Sequence, residues 1–378
     1  MNSATFGMFS IFPSARQGAR RLRLRGGVKT TMRAGRMFRQ RGKADVMFKV
    51  AVVGLGYIAQ NHLEAYRSMS DVTIAAVVSR SAEKGEKAAQ TYGCRHYETL
   101  DAALAAEKLD VVSICVPTYL HEEYVIKAAR AGCHVLCEKP VTFTLESLDR
   151  MVAACEENGV RFMVAQVARW WPEFITFKDY IDHDKLGSLH MVYEKRICQH
   201  PTWATWHRDP AKSGGGLYDL NVHDIDYLYS LFGMPARLRA IGWKSPTGCW
   251  NHVCTSLEWK SGVKAVCETS LEMTGNFPFS IELRATGDKG TLSYALSAGV
   301  NINDGEHGSN MNWYPAGEET VQPLEVEQTD MFAGEIREFL DAIRDNRPAV
   351  VTPQDSRNVL QIVLAIKKSL EEGVVVEL

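Results

Sequence analysis

The stretch Lys49–Ala59, KVAVVGLGYIA, limits what the chain can fold into more than any other. Val50, Ala51, Val52 and Val53 form a short apolar run of the kind a strand buried on both faces requires. Gly54, Gly56 and Ala59 then fall at the spacing G-x-G-x-x-A. The first glycine permits a tight turn, and the second lets a pyrophosphate approach the backbone. The small third residue lets a helix pack close to the strand, its free N–H groups aimed at the phosphates. The motif alone also matches ordinary tight turns. Here it follows a strand pattern and opens a helix pattern, the context that gives it meaning. Tyr57 and Ile58 fill the turn and join the dinucleotide contacts.

From Phe48 onward strand and helix patterns alternate. Helices are expected at Ala59–Met69, Ala82–Tyr92, Asp101–Glu107, Glu122–Ala131 and Leu145–Asn158. Strands are expected at Val72–Ser79, Val111–Cys115, His134–Cys137 and Phe162–Ala165. Alternation of this kind implies right-handed crossovers and a parallel sheet covered on both faces, with ligands at the carboxyl ends of its strands. Past about Arg169 the pattern changes. A helix at Phe174–Asp182 precedes runs of strands at Leu189–Arg196, Leu238–Lys244, Val253–Glu258, Lys264–Leu271, Phe279–Ala285 and Thr291–Tyr294. Met331–Asp345 and Pro353–Glu372 read as closing helices. The fold class is therefore α/β: an N-terminal Rossmann dinucleotide-binding domain over 47–168, then an α+β domain over 169–378. The second domain has a large, mostly antiparallel open sheet, whose free face suits homo-oligomer contact, as dimer or tetramer.

Charge is unevenly spread. Residues 1–46 hold eleven Lys/Arg and one acid, leaving 32 basic against 44 acidic residues for the rest. The body is acidic and unsuited to nucleic acid. The basic extension has no sustained apolar period and reads as disordered. An Arg-rich transit peptide, a basic arm for nucleic acid or anionic membrane, and sequence upstream of a start at Met47 compete to explain it; the last is favoured. No apolar run is long enough to cross a membrane. Nine scattered cysteines without a C-x-x-C pair point to free thiols in a reducing, cytoplasmic setting.

Each strand end carries chemistry. A carboxylate about 20 residues past the glycine turn would bind a ribose 2′-OH. Ser79 and Arg80 stand there instead, followed by Lys84, which favours NADP over NAD. A solvated loop with an incidental Arg is the plainer alternative. Pro117, Thr118 and His121 end the next strand and open a helix, as caps or cofactor contacts. Glu138-Lys139-Pro140 ends another, and Gln166 follows the last. Lys139 is either a surface ion-pair partner or placed to reach a substrate oxygen beside a nicotinamide.

The most polar stretch runs from Ser213 to Asp226, SGGGLYDLNVHDID. Asp219 and His223 are four apart, which puts them on one face of a continuous helix. An Asp beside a His holds its ring and adjusts its basicity, as acid–base work requires, and Asp226 is placed to support His223 from the far side. A helix-surface pair, or a divalent cation held by Asp219, His223, Asp224 and Asp226, are the alternatives. The catalytic reading is preferred, because the cofactor site otherwise lacks an acid–base partner. Trp203, Trp206 and Tyr218 crowd the same region, and Arg169 is expected to donate to substrate hydroxyls or an acid.

Together these residues resemble the Gfo/Idh/MocA oxidoreductase family, the glucose–fructose oxidoreductase and inositol dehydrogenase group. The G-L-G-Y-I-A turn, the P-T-Y-L-H segment, Glu138-Lys139-Pro140 and G-G-G-x-x-D-x-x-x-H occur in the family's order across residues 48–378. The resemblance implies NADP or NAD in the first domain and a sugar or polyol in the cleft. It carries over Lys139 as the substrate-facing lysine, Asp219 and His223 as the catalytic pair, and Trp206 as an aromatic near the cofactor. The implied activity is hydride transfer at a secondary hydroxyl or ketone of a sugar, glycoside or cyclitol. A redox-neutral sugar-processing enzyme with tightly held NAD, and a non-catalytic dinucleotide or sugar sensor, remain alternatives. Ser79-Arg80, Asn221 in place of a common glycine, and the basic first 46 residues depart from the family pattern.

Overall fold

The computed structural model describes residues 47–200, 206–299 and 308–378. The basic segment 1–46 and Trp203, both singled out above, lie outside the described residues.

The first domain alternates as its sequence dictates. Strands β1 (Phe48–Val53), β2 (Val72–Val78), β3 (Arg95–Tyr97), β4 (Val111–Ile114), β5 (His134–Glu138) and β6 (Phe162–Ala165) are joined through helices α1 (Tyr57–Arg67), α2 (Ala82–Tyr92), α3 (Leu100–Ala106), α4 (His121–Arg130) and α5 (Leu145–Glu157). The six strands are parallel, in the order β3-β2-β1-β4-β5-β6. The strand order reverses between β1 and β4, and that crevice is where a doubly wound sheet binds its ligand. Both faces are buried. Ala51 and Val53 meet a core built with α3, α4 and α5, while Val50 and Val52 meet a second core built with α1.

The second sheet is assembled from β7 (Leu189–Ile197), β8 (Arg237–Lys244), β9 (Trp250–Glu258), β10 (Lys264–Ser270), β11 (Ser280–Gly287), β12 (Gly290–Ser297), β13 (Gly308–Pro315), β14 (Gln322–Pro323) and β15 (Val376–Glu377). Its order is β14-β13-β12-β11-β7-β10-β9-β8-β15, antiparallel except where β7 runs beside β10. Burial alternates along β9, so one face packs inward and the other meets solvent. The helices here are α6 (Pro172–Asp182), the short α7 (Pro210–Ser213) and α8 (Gly216–Asp219), α9 (Asn221–Phe232), α10 (Met331–Arg344) and α11 (Pro353–Glu372). α11 has a clear start and stop: a Thr352/Asp355 capping box, Pro353 in the first turn, and Gly373 left-handed at its end. It lies on the inner face, with Val359, Leu360, Val363 and Ile366 in one core with Leu238, Val253 and Leu257.

α10 crosses the expected domain boundary. Ile336, Phe339 and Leu340 pack with Leu63 and Tyr66 of α1 over the first sheet, and Arg337 forks Asp71 at 2.6 and 2.9 Å. α10, though late in the chain, therefore packs over the first sheet.

The two glycines of the turn differ in kind. Gly54 has φ +89° and a Cβ there would stand 2.6 Å from the Cys115 carbonyl oxygen, whereas a Cβ at Gly56 meets nothing within 4 Å. Gly54→Ala is expected to lose about 2 kcal/mol or more of stability in a denaturant titration. Gly56→Ala is expected to unfold like the wild type and to bind a dinucleotide at least about tenfold more weakly, because its methyl projects into the phosphate cradle. Equal unfolding midpoints for the two variants would contradict this division.

Candidate active site

β1 delivers Gly54, Gly56, Tyr57, Ile58 and Ala59 to the crevice beside β4. Ala59 is buried against the strand while Gly56 and Tyr57 are exposed. Gly56 is the N-cap of α1, its first turn holds no acid, and no side chain caps it. Those amides and the open space at Gly56 fit a pyrophosphate. At the end of β2, Ser79 is half-buried and its hydroxyl accepts the Ser81 N–H at 3.2 Å. Arg80 and Lys84 are exposed, and no carboxylate among the described residues pairs with either.

β5 ends in Glu138 and hands Lys139 to the mouth of the sheet, through a cis Lys139–Pro140 bond. The Lys139 ammonium donates to the Asp219 carbonyl at 2.6 Å and to its Oδ1 at 3.1 Å, both side chains being 16% exposed. The helix expected through Asp219 and His223 is broken. α8 stops at Asp219, Leu220 is a turn residue at φ −106° and ψ −49°, and α9 starts at Asn221. The break leaves the Asp219 carbonyl free of an intrahelical donor, and the ammonium takes it. Gly215 makes the approach possible: at φ +74° it passes where a Cβ would sit 2.5 Å from the Cβ of Cys249.

Asp219 therefore serves Lys139 rather than His223. Its other oxygen lies 3.8 Å from Nδ1 of His207, whose ring stacks on Trp206 at 3.9 Å between centroids. Burial would raise the Asp219 carboxyl, but Lys139 and His207 outweigh it and hold the group below the usual carboxylate range. The His223 ring is bonded to no described residue, and burial, followed by the Lys139 and Arg196 cations, holds it well below the ordinary imidazole value. Burial and the two cations together favour the neutral ring. His207 was missed as a member of this group; its only sequence signal was adjacency to Trp206.

Several expected contacts point elsewhere. Arg169 gives both Nε and Nη2 to Asp226 at 2.7 Å, a bidentate buried pair that occupies the fork meant for substrate and removes Asp226 from His223. Tyr218 is turned inward, 5% exposed, edge-on to Phe143 at 5.4 Å. The His121 ring sits between the carbonyls of Val116 and Val141 at 2.9 and 3.1 Å, bracing the loops after β4 and β5 instead of facing a ligand. Thr118 and Gln166 are buried, and Pro117 is half-buried at the crevice. Asp224 pairs with Arg196, so the four groups of the metal alternative do not converge, and no metal-holding cluster of His, Cys, Asp and Glu occurs among the described residues. Asn221, where the family often has glycine, ties α9 to β10 through Thr269 at 2.8 Å.

Glu138 lies beneath this centre, accepting the Lys139 backbone N–H at 3.1 Å and meeting Nε2 of buried His62 at 2.9 Å. Residues 48–166 match the Gfo/Idh/MocA model described as an oxidoreductase family with an NAD-binding Rossmann fold, and residues 178–378 match the family's C-terminal alpha/beta domain. The chain belongs to the Gfo/Idh/MocA oxidoreductase family. It is similar to an inositol 2-dehydrogenase of Rhizobium meliloti, 26% identical over 86% of this chain and 97% of that one. Over about half of either chain, 51%, it is 32% identical to a 2,7-anhydro-N-acetylneuraminate hydratase of Mediterraneibacter gnavus. In fold it resembles the aldose–aldose oxidoreductase of Caulobacter crescentus crystallised with glycerol, with a TM-score of 0.77 at 24% identity over 88% of this chain and 99% of that one. No helix among the described residues is long and apolar enough to cross a membrane.

His62 gives this family member a pH signature. Burial works against its charge, but Cys115 and the Glu138 carboxylate outweigh it and raise the ring to about 10. A group raised on folding stabilises fully below its unfolded value, near 6.5, and loses that contribution as pH rises through the folded one. Denaturant midpoints are expected to fall between about pH 6.5 and 10 in the wild type and to fall less in His62→Gln. Parallel pH profiles for the two proteins would remove the pair from the stability balance.

Proposed function

We propose that this chain is an NAD(P)-dependent dehydrogenase or reductase acting on a secondary hydroxyl, or the matching ketone, of a sugar, glycoside or cyclitol. The reading is carried by one observation: Lys139, from the carboxyl edge of the first sheet, meets Asp219 beside a neutral His223 supplied by the second domain. The glycine turn and Ser79-Arg80-Lys84 would hold the dinucleotide, which when bound supplies the hydride acceptor or donor. His223 takes the hydroxyl proton during oxidation and returns it during reduction. Lys139 stabilises the developing alkoxide, and Asp219 fixes Lys139 and accepts from a neighbouring hydroxyl. Trp206, stacked on His207, forms a wall of the cleft. NADP is favoured over NAD by the two exposed cations after β2. The nine cysteines are all free thiols, which suits a reducing, cytoplasmic setting. The solvent face of the second sheet is where a homo-oligomer would form.

A redox-neutral activity with retained NAD is the second reading, favoured by the likeness to the hydratase. Cofactor carried through purification, with turnover that needs no added nucleotide, selects it.

A panel of sugars and cyclitols followed at 340 nm with each nucleotide tests the primary reading. Lys139→Ala is expected to lower turnover by about 10² or more with dinucleotide affinity little changed. The acid limb of the wild-type oxidation profile is expected below the ordinary imidazole value, because His223 stays neutral as pH falls through it. Arg80→Ala is expected to weaken NADP by about tenfold and leave NAD unaffected. Nucleotide-independent spectra across the whole panel would overturn the assignment.

A further inference from the structure

α9 carries His223 at its third residue, followed by Asp224, Ile225 and Asp226. A helix turns about 100° per residue, so the carboxylates of 224 and 226 leave it on nearly opposite sides. Asp224 reaches the second sheet. The Nε of Arg196, on β7, donates to its Oδ1 at 2.7 Å, with the two side chains 4% and 0% exposed. Asp226 reaches the other way. It takes both Nε and Nη2 of Arg169, in the connector after β6 of the first sheet, at 2.7 Å, with the Asp226 side chain fully buried. Next to His223, therefore, one helix is gripped by a guanidinium on either side, one from the connector after the first sheet and one from the second sheet.

Burying two such pairs brings little or no net stability. Desolvation of both ions consumes most of the attraction, and apolar residues of similar volume would often serve as well or better. What a bidentate arginine–carboxylate pair supplies is direction, because its two parallel bonds fix both distance and angle. The remaining requirement is geometric. Lys139 comes from the first sheet and His223 from a helix on the second, and proton transfer fails when the two are misplaced by about 1 Å.

We infer that Arg169, Asp226, Arg196 and Asp224 are positioning residues, a two-sided clamp that sets His223 relative to Lys139. The inference rests on the proposed dehydrogenase reading for its consequence in turnover but not for the placement of His223, so the two can fail separately.

The test removes one jaw without leaving a buried charge unpaired. The double variant R169M/D226L is expected to unfold within a few degrees of the wild type and to bind NADP within about twofold. Its kcat is expected to fall by about 10- to 100-fold, with substrate KM changed by less than about threefold. Carbethoxylation of His223 by diethyl pyrocarbonate, mapped by peptide mass, is expected to run several-fold faster than in the wild type. Should the double variant fail to fold, R169K keeps the charge and loses the fork, and the same drop in kcat is expected. Wild-type kcat in a folded R169M/D226L or in R169K overturns the clamp. If the wild type itself turns over nothing on the panel, the dehydrogenase reading falls, and the labelling rate still decides: faster labelling of His223 upholds the clamp and an unchanged rate overturns it.

Discussion

An ammonium from the end of one sheet and a carboxylate from a helix on the other meet at Lys139 and Asp219, and the molecule is built around that meeting. The ammonium uses the carbonyl of Asp219 as well as its carboxylate. That second bond exists because α8 ends at Asp219 and α9 begins only at Asn221. A continuous helix from Gly216 through Phe232 would have placed Asp219 and His223 on one face but would have given the carbonyl to an N–H of its own. The break leaves that carbonyl to the ammonium, so Lys139 binds Asp219 through both its carbonyl and its carboxylate.

Charge in this region is arranged in layers. At the surface of the cleft Asp219 is kept ionised by Lys139 and His207, and His223 is kept neutral by burial and by two cations. Below it, Glu138 joins His62 of α1 to the Lys139 backbone, so the helix after the glycine turn and Lys139 share one buried carboxylate. Beside it, Arg169 and Arg196 hold α9. Asp219, Glu138, Asp224 and Asp226 each have a cationic or imidazole partner, whereas burial beside these carboxylates pushes Glu194 and Glu335 well above the usual carboxylate range.

Most of the fold was legible because its signals are local. The apolar run Val50–Val53, the glycine spacing and the strand–helix alternation each follow from a few adjacent residues, and helices such as Ala82–Tyr92 and Pro353–Glu372 coincide with their expected bounds. β3 was not anticipated, since three residues, Arg-His-Tyr, at a sheet edge carry no period. α10 was expected as a helix, but nothing local shows that its apolar stripe would complete the first domain across more than 260 residues from Asp71 to Arg337.

At the site the division is the same. Lys139 and His223 stand out by what surrounds them in sequence, whereas the partners of Asp219 and Asp226 lie far along the chain from them. A reading by i,i+4 spacing joined Asp219 to His223 and missed the i,i+2 pair of Asp224 and Asp226, because that rule looks for residues that share a face. The opposite case carries the information here: two like charges on opposite faces of one buried helix are met by a cation on each side of it. Such a pattern implies a helix held between two bodies, and a histidine placed immediately before it inherits the precision of both grips.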